Sequence, residues 1–418
     1  MISIVSRSRA VLPLLAAAAL AAPALAQEDL VERVERLEQK NAELESKLSA
    51  VADAQEGLTL EGLVPPVGDS AFGLGPSASK VYAAEEGLSL GGYGEALYER
   101  RSGDVPDEAD FLRAVLYVGY RFDEHWIFNS EIEFEHGGEE VGVEFAYLDY
   151  LWRESMNFRA GLVLIPMGFL NELHEPPTFL AAKRPETERR ILPSTWRENG
   201  AGVFGDAGPV TYRAYVVNGF DATGFTDEGL RDGRQNGSEA LTEDVAVVGR
   251  VDWTETPGLL AGGSLYYGNA GQDQAGLGST QTTVAELHAE WHARGLWLRG
   301  LVAMAQVDDV AELNAANGFV GADSVGEEMG GHYVEAGYDV LSLLSPGSAQ
   351  AVSPYVRYES VDTQEEVPEG FASDPANDFD VLTAGLNWRP RSNIVFKVEY
   401  QDFDELADGW NAAMGFSF

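Results

Sequence analysis

The sequence predicts an all-β transmembrane β-barrel of about 16 antiparallel strands with a short N-terminal coiled-coil helix ahead of it. Three observations carry that prediction. From Leu88 onward, apolar and polar residues alternate with period two in short runs broken by turn residues. The polar parity carries charge in run after run, as expected of a strand with one lipid face and one wet face. The connections between runs alternate between tight and long, the pattern of an even-stranded antiparallel barrel with turns at one end and loops at the other.

Composition removes the other classes. The 418 residues hold no cysteine, which excludes disulfides, thiolate metal sites and cysteine nucleophiles. With 28 Lys and Arg against 68 Asp and Glu, the net charge of -40 excludes nucleic acid as a partner, because phosphates need cations to neutralise them. It also argues against docking on anionic lipid. A 45% hydrophobic content is too apolar for a disordered acid.

In chain order, residues 1–26 carry Arg7 and Arg9, an apolar run from Ala10 to Ala24, and Ala24-Leu25-Ala26, the order of a signal peptide. Residues 27–54 read as a coiled-coil segment: Leu30, Val34, Leu37, Asn41, Leu44, Leu48 and Val51 form a heptad seam in which Asn41 is the single polar position and sets register. Residues 55–87, with Pro65, Pro66, Gly68, Gly73, Gly75 and Pro76, read as a linker. Residues 88–418 make the barrel domain, in segments 88–100, 111–122, 126–136, 142–153, 157–166, 198–206, 209–218, 244–253, 259–269, 282–293, 295–307, 331–341, 351–360, 379–389, 392–402 and 409–418. The run 142–153 is untidy, since Glu144 and Asp149 have opposite parity. The last run ends on Phe418, the terminal aromatic typical of outer-membrane barrels. The expected location is therefore the outer membrane of a Gram-negative bacterium, in contact with its lipid, with the coil on the turn side in the periplasm.

Sixteen strands are expected to leave an aqueous lumen, and hence a pore for small hydrophilic solutes or inorganic ions. Parity places Arg113, Arg159, Arg213, Arg250, Arg299, Arg357, Glu131 and Glu133 on its wall. The long loop 167–197 is expected to fold inward as a constriction. Its Lys183, Arg184, Arg189, Arg190 and Arg197 either hold anions through guanidinium forks or pair with glutamates such as Glu172 and Glu175. Loops 219–243, 308–330 and 361–378 sum to -4, -6 and -6, so the mouth should concentrate cations. No catalytic residues and no cofactor are expected. His174 precedes Pro176-Pro177, which forbids the helix of a zinc pair, and His288, His292, Glu286 and Glu290 on one strand face are spaced about 7 Å apart, too far for a tetrahedral ion. The rival reading is a closed barrel serving as an envelope anchor or surface receptor.

Several stretches carry a resemblance: Leu90-Gly91-Gly92-Tyr93-Gly94-Glu95, Asn129 through His136, Ala160-Gly161-Leu162 through Gly168, Asn171-Glu172-Leu173-His174-Glu175-Pro176-Pro177-Thr178-Phe179, and Pro193-Ser194-Thr195-Trp196. Over about residues 90–220 the chain resembles the phosphate-selective porin O and P family. The resemblance implies a trimeric sixteen-stranded outer-membrane porin whose third loop narrows the pore, often with an N-terminal coil. Phosphate selectivity would sit uneasily with the acidic lumen and loops.

Overall fold

The computed structural model describes residues 36, 39–44, 46–47, 70–103 and 105–418. The expected signal peptide at 1–26, most of the expected coil seam at 27–54 and residues 55–69 of the expected linker lie outside the described residues. Those described between 36 and 47 are helical and exposed, with Lys47 and Glu43 paired at 2.7 Å.

The described residues from 70 to 418 belong to one compact unit. It contains sixteen strands: β1 Gly87–Arg101, β2 Glu108–Arg121, β3 Trp126–Glu135, β4 Glu140–Arg153, β5 Met156–Leu164, β6 Arg197–Ala207, β7 Val210–Asn218, β8 Val245–Trp253, β9 Leu259–Gly268, β10 Thr282–Ala293, β11 Leu296–Val307, β12 Glu328–Tyr338, β13 Ala351–Glu366, β14 Asp378–Arg391, β15 Ile394–Phe403 and β16 Gly409–Ser417. Each pairs antiparallel with its sequence neighbours, and β1 closes on β16. The closing seam continues to the last residue, with Phe418 N–H donating to Gly92 O at 2.9 Å and Gly92 N–H to Phe418 O at 3.0 Å. Closure leaves no unpaired edge, as a sheet in hydrocarbon requires. Two outward glycines make room for the terminal rings: a Cβ on Gly92 would lie 2.8 Å from the Phe418 ring, and one on Gly94 would lie 2.6 Å from that of Phe416.

Alternation sorts the side chains as expected on the outside. Leu287, Val302, Val334, Leu382 and Met414 are exposed in a lipid-facing band. Tyr120 with Phe122, Trp126 with Tyr150, and Trp388 with Phe396 pair along the turn end, as a girdle at the membrane interface. The untidy run at β4 contains a bulge: Glu131 pairs with Phe145 and Ile132 with Val143, so Glu144 has no partner across the ladder. The extra residue reverses parity, and Glu144 and Asp149 both face inward at 1% and 0% exposure.

The inside departs from expectation. An open aqueous lumen would leave its wall wet, yet Tyr93, Tyr117, Phe145, Tyr215 and Tyr333 are buried in one continuous apolar cluster. Two segments fill the space. One is the loop 165–196, whose Ile165, Leu170, Phe179, Leu192 and Trp196 join that cluster. The other is residues 70–86, at the end of the span expected to be a linker. Leu74, Ala78 and Val81 are buried there, and Asn129 Nδ2 donates to Ala78 O at 3.0 Å. Tyr82 donates to Asp149 at 2.7 Å, and Arg121 reaches the carbonyls of Tyr82 and Ala84. Inward glycines clear the path, since a Cβ on Gly91 would lie 2.7 Å from Ser77 O. The Gly and Pro content that resembles a linker permits a chain threaded against the wall.

Candidate functional site

The centre of the barrel is the docked loop between β5 and β6. Asn171 ties its ends together, donating to Ile165 O at 2.6 Å and Trp196 O at 2.8 Å while accepting from Trp196 N–H at 2.6 Å. From there each part of the loop meets a different stretch of wall. Glu172 meets Arg213 at 3.3 Å. His174 meets Glu131 and Glu144 at 3.1 and 3.2 Å. Glu175 accepts from the backbone N–H of Ser77 and Ala78, which fastens the 70–86 segment to the loop. Pro176 opens a 3-10 turn and seats where Gly415 has no side chain. Lys397 lies 3.4 Å over the Phe179 ring and donates to Ala181 O, and Glu399 accepts from Ala182 N–H at 2.6 Å. Glu188 accepts from the N–H groups of Phe169 and Leu170 and from the Tyr333 hydroxyl. The Asn-Glu-x-His-Glu-Pro-Pro stretch is thus a set of docking contacts.

All eight wall residues named from parity lie inside, each less than a tenth exposed. The six arginines are neutralised within the wall. Arg113 pairs with Glu133 at 3.2 Å, Arg213 and Arg250 share Asp252 at 2.6 and 2.8 Å, and Arg357 pairs with Glu359 at 2.7 Å. Arg299 pairs with Glu290. Arg159 takes both oxygens of Asp149 at 2.9 and 3.0 Å and stacks on Tyr147. Asp149 is a partner that strict parity misses; the parity break itself is its only signal in the sequence.

The loop cations divide. Lys183 pairs with Glu99 at 2.6 Å, Arg189 and Arg190 with Glu186 at 2.7 and 3.3 Å, and Arg197 approaches Glu144 at 3.6 Å. Arg184 meets no carboxylate among the described residues, and its Nη2 is buried without a hydrogen-bond partner. It lines a half-open cavity of about 340 Å³ with Glu95, Glu99, Arg113, Lys183, Glu186, Arg189 and Arg231. Arg231 comes from the loop after β7, which the sequence presents only as acidic. Its Nη1 is also unpartnered. Burial, then Arg234, Arg184 and Arg189, push its guanidinium down to about 9. An arginine seldom gives up its proton, so a bound anion is the physical relief for such crowding. Around His174, burial works to lower the imidazole, but Glu131 and Glu144 hold it above its ordinary value.

No protein-family model matches the chain. It is similar to an Aquifex aeolicus (strain VF5) protein described as uncharacterized, 36% identical over 385 residues that cover 86% of this chain and 87% of that one. Among solved structures it is similar to a loop L8 deletion mutant of OmpT, an outer membrane protein of Vibrio cholerae, with a TM-score of 0.51 and 11% identity over 80% of this chain and 100% of that one. Salmonella typhi OmpF, in complex with daunomycin, is similar with a TM-score of 0.51 and 12% identity over 80% of this chain and 98% of that one. At these identities the likeness is one of fold, a porin-like barrel.

Proposed function

The chain belongs to the same family as the Aquifex aeolicus protein, and from its porin-like barrel we propose that it is an outer-membrane porin passing small hydrophilic solutes and ions. The observation that carries this reading is the polar cavity at Arg184 and Arg231, a half-open vestibule inside a closed lipid-facing sheet. Two unpaired guanidiniums there suit anions, phosphate among them, because the planar fork matches an oxyanion. The acidic outer loops act at longer range and favour cations at the mouth. Assembly as a homotrimer, with the periplasmic coil tying the subunits, follows from the heptad seam and the resemblance to the phosphate-selective porins.

Planar-bilayer recording tests the reading. Steady channels are expected, with weak potassium preference in a salt gradient. Millimolar phosphate should reduce the chloride current, and Arg184→Glu should abolish that reduction. Clear anion preference would instead put selectivity in the hands of Arg184 and Arg231. The second reading, a closed barrel acting as an anchor or receptor, is favoured by the buried wall. It would take over if no steady channels form.

A further inference from the structure

We propose that Glu131, Glu144 and His174 form a binding site for a divalent first-row transition cation, zinc foremost, that clamps the inserted loop to the barrel wall. The residues come from β3, β4 and the loop, so an ion held by all three ties the loop to two strands at once. His174 Nε2 lies 3.1 Å from Glu131 Oε1 and 3.2 Å from Glu144 Oε2. One donor atom from each residue lies within 4.8 Å of the other two. A tetrahedral ion with N and O ligands at about 2.0–2.2 Å sets neighbouring donors about 3.3–3.6 Å apart, so the two edges that meet at His174 stand within a few tenths of an ångström of that spacing, and the edge between the two carboxylates is no longer than 4.8 Å. The imidazole is turned for the task. Its Nδ1 donates to the Asn171 carbonyl at 3.1 Å, so Nε2 is the nitrogen that faces the carboxylates, and an ion bound there would take the place of the Nε2 proton that the two glutamates otherwise favour.

Unsatisfied atoms supply independent support. Glu131 Oε2, both oxygens of Glu144 and the Tyr93 hydroxyl are buried without any hydrogen-bond partner. A native interior seldom tolerates so many orphans in one place without an ion or water among them. Tyr93 is 1% exposed, its ring meets that of His174 edge-on at 5.9 Å, and its hydroxyl sits in the field of Glu131, Glu133 and Glu144. Its unpartnered hydroxyl is the candidate group for the fourth position, directly or through a water. Charge balance agrees. Four buried carboxylates, Glu95, Glu131, Glu133 and Glu144, stand against only two guanidiniums, Arg113 and Arg197, an excess of carboxylates that a divalent cation would balance in place of protons.

The inference holds whether or not the barrel conducts, and its test is separate from conductance. The full chain, purified in detergent without chelator, is assayed for metal by mass spectrometry, then stripped with EDTA and titrated with zinc and with cobalt. One equivalent per chain is expected, with a rise in melting temperature on zinc addition. The cobalt form should show the intense visible bands of a tetrahedral N/O site. Glu131→Gln and His174→Ala should lose the equivalent, whereas His292→Asn should keep it. Because the cobalt spectrum is taken on the wild-type chain, misfolded variants cannot obscure the outcome. Absence of those bands, or an equivalent that survives His174→Ala, would overturn the site and leave a proton on Nε2 as the charge between the two glutamates.

Discussion

At the scale of single residues, the same side chain plays opposite parts depending on its partner. Arg159 and Asp149 are 3% and 0% exposed and share two hydrogen bonds. Removing one member of a buried pair strands the other, so Arg159→Met should cost about 3–5 kcal/mol in denaturant unfolding. A cost under about 1 kcal/mol would mean that Tyr82 alone satisfies Asp149. Among the described residues Arg184 has no carboxylate to strand, and Arg184→Gln should leave stability within about 0.5 kcal/mol while changing the phosphate response. Glu186 gives the pH dependence. Burial works to raise its carboxyl, but Arg189 and then Arg190 hold it below its ordinary value. A folded pKa below the unfolded one stabilises the docked loop above the ordinary glutamate value of about 4.3, and that stabilisation is lost as pH falls through the lower, folded value. Glu186→Gln should therefore flatten the acid limb of melting temperature against pH; an unchanged acid limb would mean that other carboxylates set it.

At the scale of elements, the strands were legible because a lipid face and an inner face demand alternation, and each of the sixteen expected runs overlaps one strand. What alternation cannot encode is a bulge, so the reversal at Glu144 was visible only as disorder in the pattern. Nor does it mark a segment that enters the barrel with only one turn of helix, Lys80–Ala83. Residues 70–86 bury Leu74 and Val81 with no period to betray them. The His174 cluster was hidden for a related reason, since its partners lie 43 residues away at Glu131 and, at Glu144, on the bulge itself. The wall positions of the arginines could be read, but not their partners. Loop docking has its own test at Gly415, where a Cβ would come within 2.3 Å of Pro176. Gly415→Val should overpack that contact by about 1–3 kcal/mol and speed amide exchange across 174–182, while β15 and β16 stay protected. Uniform loss of protection would show the wall, not the loop, giving way.

At the scale of the whole molecule, the question is how a barrel with a packed interior passes anything. A sixteen-stranded sheet encloses more space than its own inward side chains fill, and here two added segments occupy the difference. Only one of them is needed to shape a constriction. The 70–86 segment contributes no strand, and the closing pairs of Gly92 with Phe418 and of Tyr93 with Ser417 do not involve it. Its removal leaves the ladder intact but frees Glu175 of two N–H donors and Asp149 of the Tyr82 hydroxyl. A chain in which 70–86 is deleted should therefore still insert as a closed barrel, melt at a lower temperature, and conduct several-fold more current per channel. Conductance that stays at the wild-type value would mean the solute path runs on the vestibule side, between Arg184 and Arg113, and that the segment serves only to brace the loop.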